Sequence, residues 1–197
     1  MIQEKLNQAA EQKHILESAH RNASEFLQLE PMPEWVSKSL EELIDTENWK
    51  EINDRFHTHL VFGTGGMRGR TIGQTITVAE QGGVKKGETP KYAAVGSNTL
   101  NELTLLRATK ALYSYVEKWL AAEGELEQPR LVLAHDVRHF SPEFSKLVTG
   151  AWIRMGGYAM VFDGPRSPPQ LSFAIRNRFA HAGVVITASH NPYHDNG

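Results

Sequence analysis

Gly183-Val184-Val185-Ile186-Thr187-Ala188-Ser189-His190-Asn191-Pro192 is the stretch on which the reading of this chain turns. Its first four residues are small or β-branched and sit between turn-forming residues, which is the pattern of a short strand buried on both faces. The polar residues that follow put one serine hydroxyl, Ser189, on a tight loop at the carboxyl end of that strand, and Pro192 restrains the loop. In open α/β sheets ligands bind outside the carboxyl ends of strands, so a Ser-His-Asn cluster here is placed for chemistry. A plain polar turn is the alternative reading.

Working back from this strand, Ser167-Pro168-Pro169-Gln170 fits a capping box that opens a helix running to about Arg178. Tyr158 to Phe162 reads as another strand, and Ser141-Pro142-Glu143 as an N-cap with proline at the first helical position of a helix stopped by Gly156-Gly157. Leu131 to Ala134 forms a further buried strand, and Leu105, Thr109, Leu112, Val116 and Trp119 line one face of the helix before it. The resulting βαβαβ order predicts an α/β domain with a mainly parallel sheet, flanked by helices on right-handed crossovers.

The N-terminal part has a different texture. Residues 2 to 27 place Ile2, Leu6, Ala9, Leu16, Ala19, Ala23 and Phe26 at spacings of mostly three or four, which predicts one amphipathic helix. A second helix follows Pro33 with Trp35, Val36, Leu40, Leu43 and Ile44, and a third carries Trp49, Ile52 and Phe56. Leu60-Val61-Phe62 reads as a short strand, while residues 70 to 95 have no clear period and read as an insertion or long loop. The expected division is an N-terminal helical extension over 1–58 and an α/β domain over 59–197.

With 197 residues, of which 40% are hydrophobic, the chain can bury one substantial core. A formal net charge of -2 supplies no field for nucleic acid or an anionic membrane, so neither is an expected partner. The absence of cysteine excludes disulfides and thiolate metal sites. A polar N-terminus and the lack of a membrane-length apolar run make the cytoplasm the expected location.

A second candidate binding element is Phe62-Gly63-Thr64-Gly65-Gly66-Met67-Arg68-Gly69, whose glycines let backbone amides approach an anion and whose Arg68 adds a forked positive charge. It is neither a dinucleotide fingerprint, because Arg68 stands where a glycine is needed, nor a P-loop, because no Gly-Lys-Ser/Thr follows. The pairs His135/His139 and His190/His194 have a spacing of four, but neither lies in a helix that would aim both rings at one metal. Asp136, Arg138 and Ser141 read as a charged turn that supports the sheet edge.

The Thr187–Pro192 loop, the Phe62–Gly69 loop, the Asp136-Val137-Arg138-His139-Phe140-Ser141 segment and Gly164-Pro165-Arg166-Ser167-Pro168-Pro169 together resemble, in the same order, the α-D-phosphohexomutases. These are the phosphoglucomutase and phosphomannomutase enzymes. The helices ahead of the glycine loop are most similar to the long phosphoglucomutase/phosphopentomutase type, and the likeness covers roughly residues 35 to 197. It implies the fold of phosphohexomutase domain I, with Ser189 as a phosphoserine that gives its phosphoryl group to a sugar monophosphate. A sugar bisphosphate such as glucose 1,6-bisphosphate is then the intermediate and activator. It further implies that Mg²⁺ meets Ser189 through its phosphate and that Arg68 and Thr64 contact phosphate, while His190, as the neighbour of Ser189, is a candidate for polar support or proton transfer. Gly96-Ser97-Asn98-Thr99-Leu100-Asn101 resembles a family Gly-Thr-Asn-Arg-Met-Asn segment, with Thr99 in place of the arginine.

Three other readings of the same residues are open: phosphomannomutase or phosphopentomutase specificity, a non-catalytic anion-binding fragment, and a serine hydrolase. The hydrolase lacks a Gly-x-Ser-x-Gly elbow, since Ala188 and His190 flank Ser189. By the resemblance the metal and sugar loops belong to remaining domains of a parent polypeptide. The 197-residue chain alone is therefore expected to bind phosphate weakly and not to isomerise phosphosugars. A coupled glucose-6-phosphate assay checks this, and turnover proportional to the concentration of the chain contradicts it.

Overall fold

A computed structural model describes residues 2–29, 31–63 and 65–197. The chain divides into two compact units, residues 1–101 with Gly197 and residues 102–196.

In the first unit the amphipathic stripe near the N-terminus is carried by two helices, α1 (Ile2–Glu11) and α2 (Glu17–Leu27), and not by one. The break is made by Lys13, which takes a left-handed φ of 60° where glycine is usual, with the N–H of His14 closing onto the Ala9 carbonyl at 2.9 Å. Leu6 and Ala9 are buried on α1, and Ala19, Ala23 and Phe26 on α2, whereas Leu16 is exposed and Ile15 takes the buried place beside the break. Helices α3 (Glu34–Asp45) and α4 (Trp49–Phe56) match their apolar spacings, burying Val36, Leu40, Leu43 and Ile44 on one and Ile52 and Phe56 on the other. Phe26 meets Phe56 edge-on at 5.5 Å, tying α2 to α4.

The expected strand at Leu60-Val61-Phe62 does not form. Leu60 is buried and its N–H is donated to the Ser97 carbonyl at 2.7 Å, but Val61 and Phe62 are exposed, so the run has one buried position and no ladder. A two-residue strand β1 (Gly69–Arg70) and a single turn of helix α5 (Val78–Gln81) interrupt the aperiodic segment that follows. The helix is closed by a capping box between Thr77 and Glu80.

What organises that segment is a buried guanidinium. Arg55 of α4 is fully buried and donates from Nε to Glu51 Oε1 at 2.8 Å, from Nη1 to Glu80 Oε1 at 2.5 Å, and from Nη2 to the Thr75 carbonyl at 2.6 Å. Glu80 in turn accepts from the Ser39 hydroxyl of α3 at 2.8 Å and from the Val95 N–H at 2.9 Å. Burial disfavours the Arg55 cation, yet Glu80 and Glu51 outweigh it and hold the group above its ordinary value. A pKa raised on folding stabilises at every pH below the unfolded value, so this contribution is present across the physiological range. Gly73 lies where a Cβ would collide with Arg55 Nη2, which requires a residue without a side chain. Thr99 and Asn101 are buried and bond the Ala94 and Gly96 carbonyls, so in this chain the threonine secures a turn.

The second unit opens with α6 (Glu102–Ala122) and has three parallel strands in the order β3-β2-β4, with β2 (Arg130–His135) paired to β3 (Tyr158–Val161) and to β4 (Ala182–Ile186). The buried stripe of α6 passes through Leu105, Thr109, Tyr113, Val116 and Leu120, while Trp119, expected on it, is about half exposed. Central β2 is covered on both faces, with Leu131, Val132, Leu133 and Ala134 all buried. Val132 and Ala134 pack with Leu171 of α8 (Pro168–Asn177), while the alternate residues face the side covered by α7 (Ser141–Arg154). The fold is thus the expected α/β arrangement of parallel strands and crossover helices. The last two-residue strand, β5 (Asp195–Asn196), closes the loop after β4.

Two capping expectations fail here. Phe140, at a left-handed φ of 65°, occupies the cap position of α7, and Ser141 lies inside the helix because its hydroxyl is taken by Asp136. Ser167 does precede α8, but its side chain makes no capping bond.

Replacing Arg55 with methionine keeps the volume and strands Glu80 and Glu51 without their cation. We expect a loss of about 3–5 kcal/mol, the cost of breaking a buried ion pair from one side, read as a lower urea midpoint. A midpoint equal to that of the wild type would remove Arg55 from its organising position.

Candidate phosphate site

The strands β2 and β4 run side by side, with His135 opposite Ile186, and the chain leaves both at their carboxyl ends. Asp136 follows β2 directly, and its N–H is donated to the Ile186 carbonyl at 3.0 Å, extending the ladder by one bond. Its carboxylate collects three donors from separate places. Oδ1 accepts from the Ser141 hydroxyl at 2.7 Å and from the Arg138 N–H at 2.9 Å, and Oδ2 accepts from the Thr187 hydroxyl at 2.6 Å.

Thr187 begins the loop after β4. Because its hydroxyl proton goes to Asp136, its oxygen is left to accept the N–H of Ser189, at 3.1 Å. Ser189 itself has a left-handed φ of 52°, and the Asn191 N–H closes the turn onto the Ala188 carbonyl at 2.9 Å. A non-glycine residue held in that conformation costs about 1–3 kcal/mol and persists where its surroundings over-determine it. Ala188 is fully buried beneath the turn, so Ser189 and His190 are lifted into solvent on its outer side.

The Arg138 guanidinium lies against the inner side. Nη1 donates to the carbonyls of Pro192 at 2.8 Å and Asp195 at 3.1 Å, and Nη2 donates to those of Ser189 at 2.6 Å and Asn191 at 2.7 Å. Asn196, fully buried, donates to the His139 carbonyl and to the Ser141 hydroxyl, both at 2.9 Å. The Arg166 N–H is donated to the His135 carbonyl at 3.0 Å, and the Arg166 side chain pairs with Asp163.

The Ser189 hydroxyl and the His190 ring have no hydrogen-bond partner among the described residues. No base is thus hydrogen-bonded to the Ser189 hydroxyl among the described residues, and a phosphoryl group on its oxygen would stand clear of the loop. The glycine loop belongs to the first unit. There Gly63 and Gly66 exchange backbone bonds, with Gly63 N–H to Gly66 O at 2.8 Å, Gly65 turns at a φ of 80°, and Arg68 is exposed. Thr64 lies outside the described residues. The functional weight of Arg138 and Thr187 was not visible as spacing. Each acts on a residue about fifty positions away, Arg138 on loop carbonyls and Thr187 on the Asp136 carboxylate, and the Asp-x-Arg-x-x-Ser pattern pointed only to Arg138.

A hard cation such as Mg²⁺ takes about six oxygen ligands. Among the described residues no group of three or more His, Asp or Glu side chains converges to offer them. Ser189 could contribute through a phosphate oxygen only, so the described residues do not fit a magnesium site of their own.

The chain belongs to the phosphoglucomutase/phosphomannomutase family, since residues 91–197 match the family's alpha/beta/alpha domain I. It is 27% identical over 167 residues to a phosphoglucomutase of Staphylococcus aureus (strain bovine RF122 / ET3-1), covering 83% of this chain and 25% of that protein. A phosphoglucomutase of Staphylococcus haemolyticus (strain JCSC1435) is 31% identical over 142 residues, covering 72% of this chain and 21% of its own length. Among solved structures, a Thermus thermophilus protein assigned as a phosphomannomutase superposes with a TM-score of 0.49 at 26% identity, over 71% of this chain and 25% of that one. The chain thus spans about a quarter of the length of the curated relatives it matches. No helix among the described residues is long and apolar enough to cross a membrane.

Asp136→Ala leaves two hydroxyls and one backbone N–H without their shared acceptor. Hydrogen bonds to a charged group are worth about 1.5–3 kcal/mol, and a loss of at least that size is expected in the unfolding free energy measured by urea titration. An unchanged midpoint would show that the three donors find water instead.

Proposed function

We propose that this chain supplies the phosphoserine part of an enzyme that interconverts sugar 1-phosphates and sugar 6-phosphates, of phosphoglucomutase type. The observation that supports this best is Ser189, exposed on a turn of defined backbone at the end of β4, with no base hydrogen-bonded to it among the described residues and inside the span that matches the family. Such a serine is a poor starting nucleophile and a good carrier of a phosphoryl group. This also disfavours the serine-hydrolase reading, which needs a histidine bonded to the hydroxyl.

In the proposed cycle a hydroxyl oxygen of the sugar monophosphate attacks the phosphorus of phospho-Ser189. The bond from phosphorus to Ser189 Oγ breaks, and the sugar hydroxyl loses its proton to a base, for which exposed His190 is the candidate on this chain. The product is a sugar bisphosphate. After it reorients, Ser189 Oγ, which took the proton back from that base as it left, attacks the other phosphoryl group. The bond from that phosphorus to the sugar oxygen breaks, the serine's proton passes to that oxygen, and the serine is phosphorylated again as the isomeric monophosphate leaves. In-line transfer of this kind depends on positioning and charge neutralisation. Arg68, with Thr64 on the same glycine loop, is the proposed phosphate-binding element. Mg²⁺ in this reading takes its protein ligands from further domains, the proposed partners of this chain. The location we propose is cytoplasmic.

Two variants test the reading in the assembled enzyme. Ser189→Ala should abolish both the single stoichiometric phosphoryl group, seen by intact-mass and peptide mass spectrometry, and mutase turnover, with little change in stability because an exposed hydroxyl packs against nothing. An active, unphosphorylated alanine variant overturns the proposal. Arg68→Lys keeps the charge and loses the bidentate fork, and it should lower kcat/KM at least about tenfold, roughly 1.4 kcal/mol of transition-state stabilisation. Wild-type kinetics would assign Arg68 a structural role instead.

A further inference from the structure

We infer that Arg138 is the positioning residue for Ser189: its guanidinium, threaded through the loop after β4, holds Ser189 in its left-handed conformation and turns the loop's carbonyl oxygens away from the phosphate side. The inference deepens the function proposed above and rests on it for its catalytic consequence.

The two terminal nitrogens of a guanidinium carry four N–H groups in one plane, and in Arg138 each nitrogen serves two loop carbonyls. These carbonyls, of Ser189, Asn191, Pro192 and Asp195, span seven residues, and one side chain gathers all four. The side chain is only 14% exposed, so water competes poorly for the bonds on its more buried side, to the Asn191 and Asp195 carbonyls. Its own placement is secured twice, by the Arg138 N–H donated to Asp136 Oδ1 at 2.9 Å and by the approach of Nε to Asp136 Oδ2 at 3.5 Å.

The consequence for an anion is electrostatic. A carbonyl oxygen carries partial negative charge, and four of them facing a phosphoryl group would repel it. Directed at one cation, they leave the outer side of the turn to Ser189 Oγ, His190 and whatever donors meet the phosphate. Lysine cannot substitute, because its three donors are arranged tetrahedrally and cannot serve four in-plane acceptors at once. A residue that only stabilised the domain would affect folding everywhere, whereas Arg138 acts on one loop.

The experiment uses the full chain and its Arg138→Lys and Arg138→Gln variants. Amide hydrogen exchange is followed by NMR at Asn191 and Asp195, whose N–H groups close the loop onto the Ala188 and Pro192 carbonyls. Both variants should accelerate exchange there at least about tenfold, with β2 and α7 within about twofold of the wild type. In the wild type, the Arg138 Nη protons should give separate, slowly rotating signals, a readout that needs no variant to fold. Averaged Nη signals, or unchanged exchange at Asn191 and Asp195, overturn the inference. In the assembled enzyme, Arg138→Lys should lower kcat at least about tenfold with KM within about twofold, and a loosened loop with wild-type kcat also overturns it. If the assembled enzyme with wild-type sequence proves to have no mutase turnover, the function reading fails, and the exchange and Nη measurements on this chain still decide whether Arg138 holds the loop.

Discussion

The Asp136 carboxylate is the point through which the functional end of the second unit is tied together. Its backbone N–H continues the pairing of β2 with β4, while its two oxygens bind the start of α7 through Ser141, the turn before it through the Arg138 N–H, and the loop after β4 through Thr187. Parallel strands deliver their following loops to the same edge, but they do not by themselves fix those loops. A single carboxylate that accepts from three chain segments does so, because leaving any of these partly buried donors unmet carries a desolvation penalty. Arg138 then extends the same knot outward to Ser189.

A parallel solution appears in the first unit. The segment after the glycine loop has almost no repeating hydrogen-bond pattern, so its polar backbone groups need individual partners when buried. Arg55 supplies them from α4, reaching the Thr75 and Val95 carbonyls while it is neutralised by Glu51 and Glu80. In both units one arginine side chain reaches into an irregular stretch and gives it a fixed shape. The five-donor fork suits this task because several carbonyls can be bound without a matching number of side chains.

These two devices differ in what they leave outside. Around Arg55 everything is enclosed, and nothing about the cluster suggests a ligand. Around Arg138 the enclosed face is the carbonyl face, and the opposite face carries an exposed serine on a strained turn. Strain of that kind persists where its surroundings over-determine it, as Arg138 and Thr187 do at Ser189. In the phosphoryl transfer proposed above the strain has a chemical sense, since such a transfer would depend on where the serine oxygen is held.

The sequence by itself determined the α/β class, the order of strands and crossover helices, and the loop that carries Ser189. Those features are local or periodic: β-branched runs such as Val184-Val185-Ile186, glycine stops at Gly156-Gly157, and the composition of the loop itself are legible residue by residue. It overstated one helix, because the apolar stripe from Ile2 to Phe26 continues across a turn that Lys13 makes in a conformation lysine rarely adopts. It assigned Ser141 to capping, the commonest task of a serine before proline, and could not register that a carboxylate five residues earlier competes for the hydroxyl. The tertiary structure decided what Arg55, Arg138 and Thr187 are for. Each has a partner between about 20 and 57 residues away, and several of these are backbone carbonyls, which every residue possesses and no sequence pattern distinguishes.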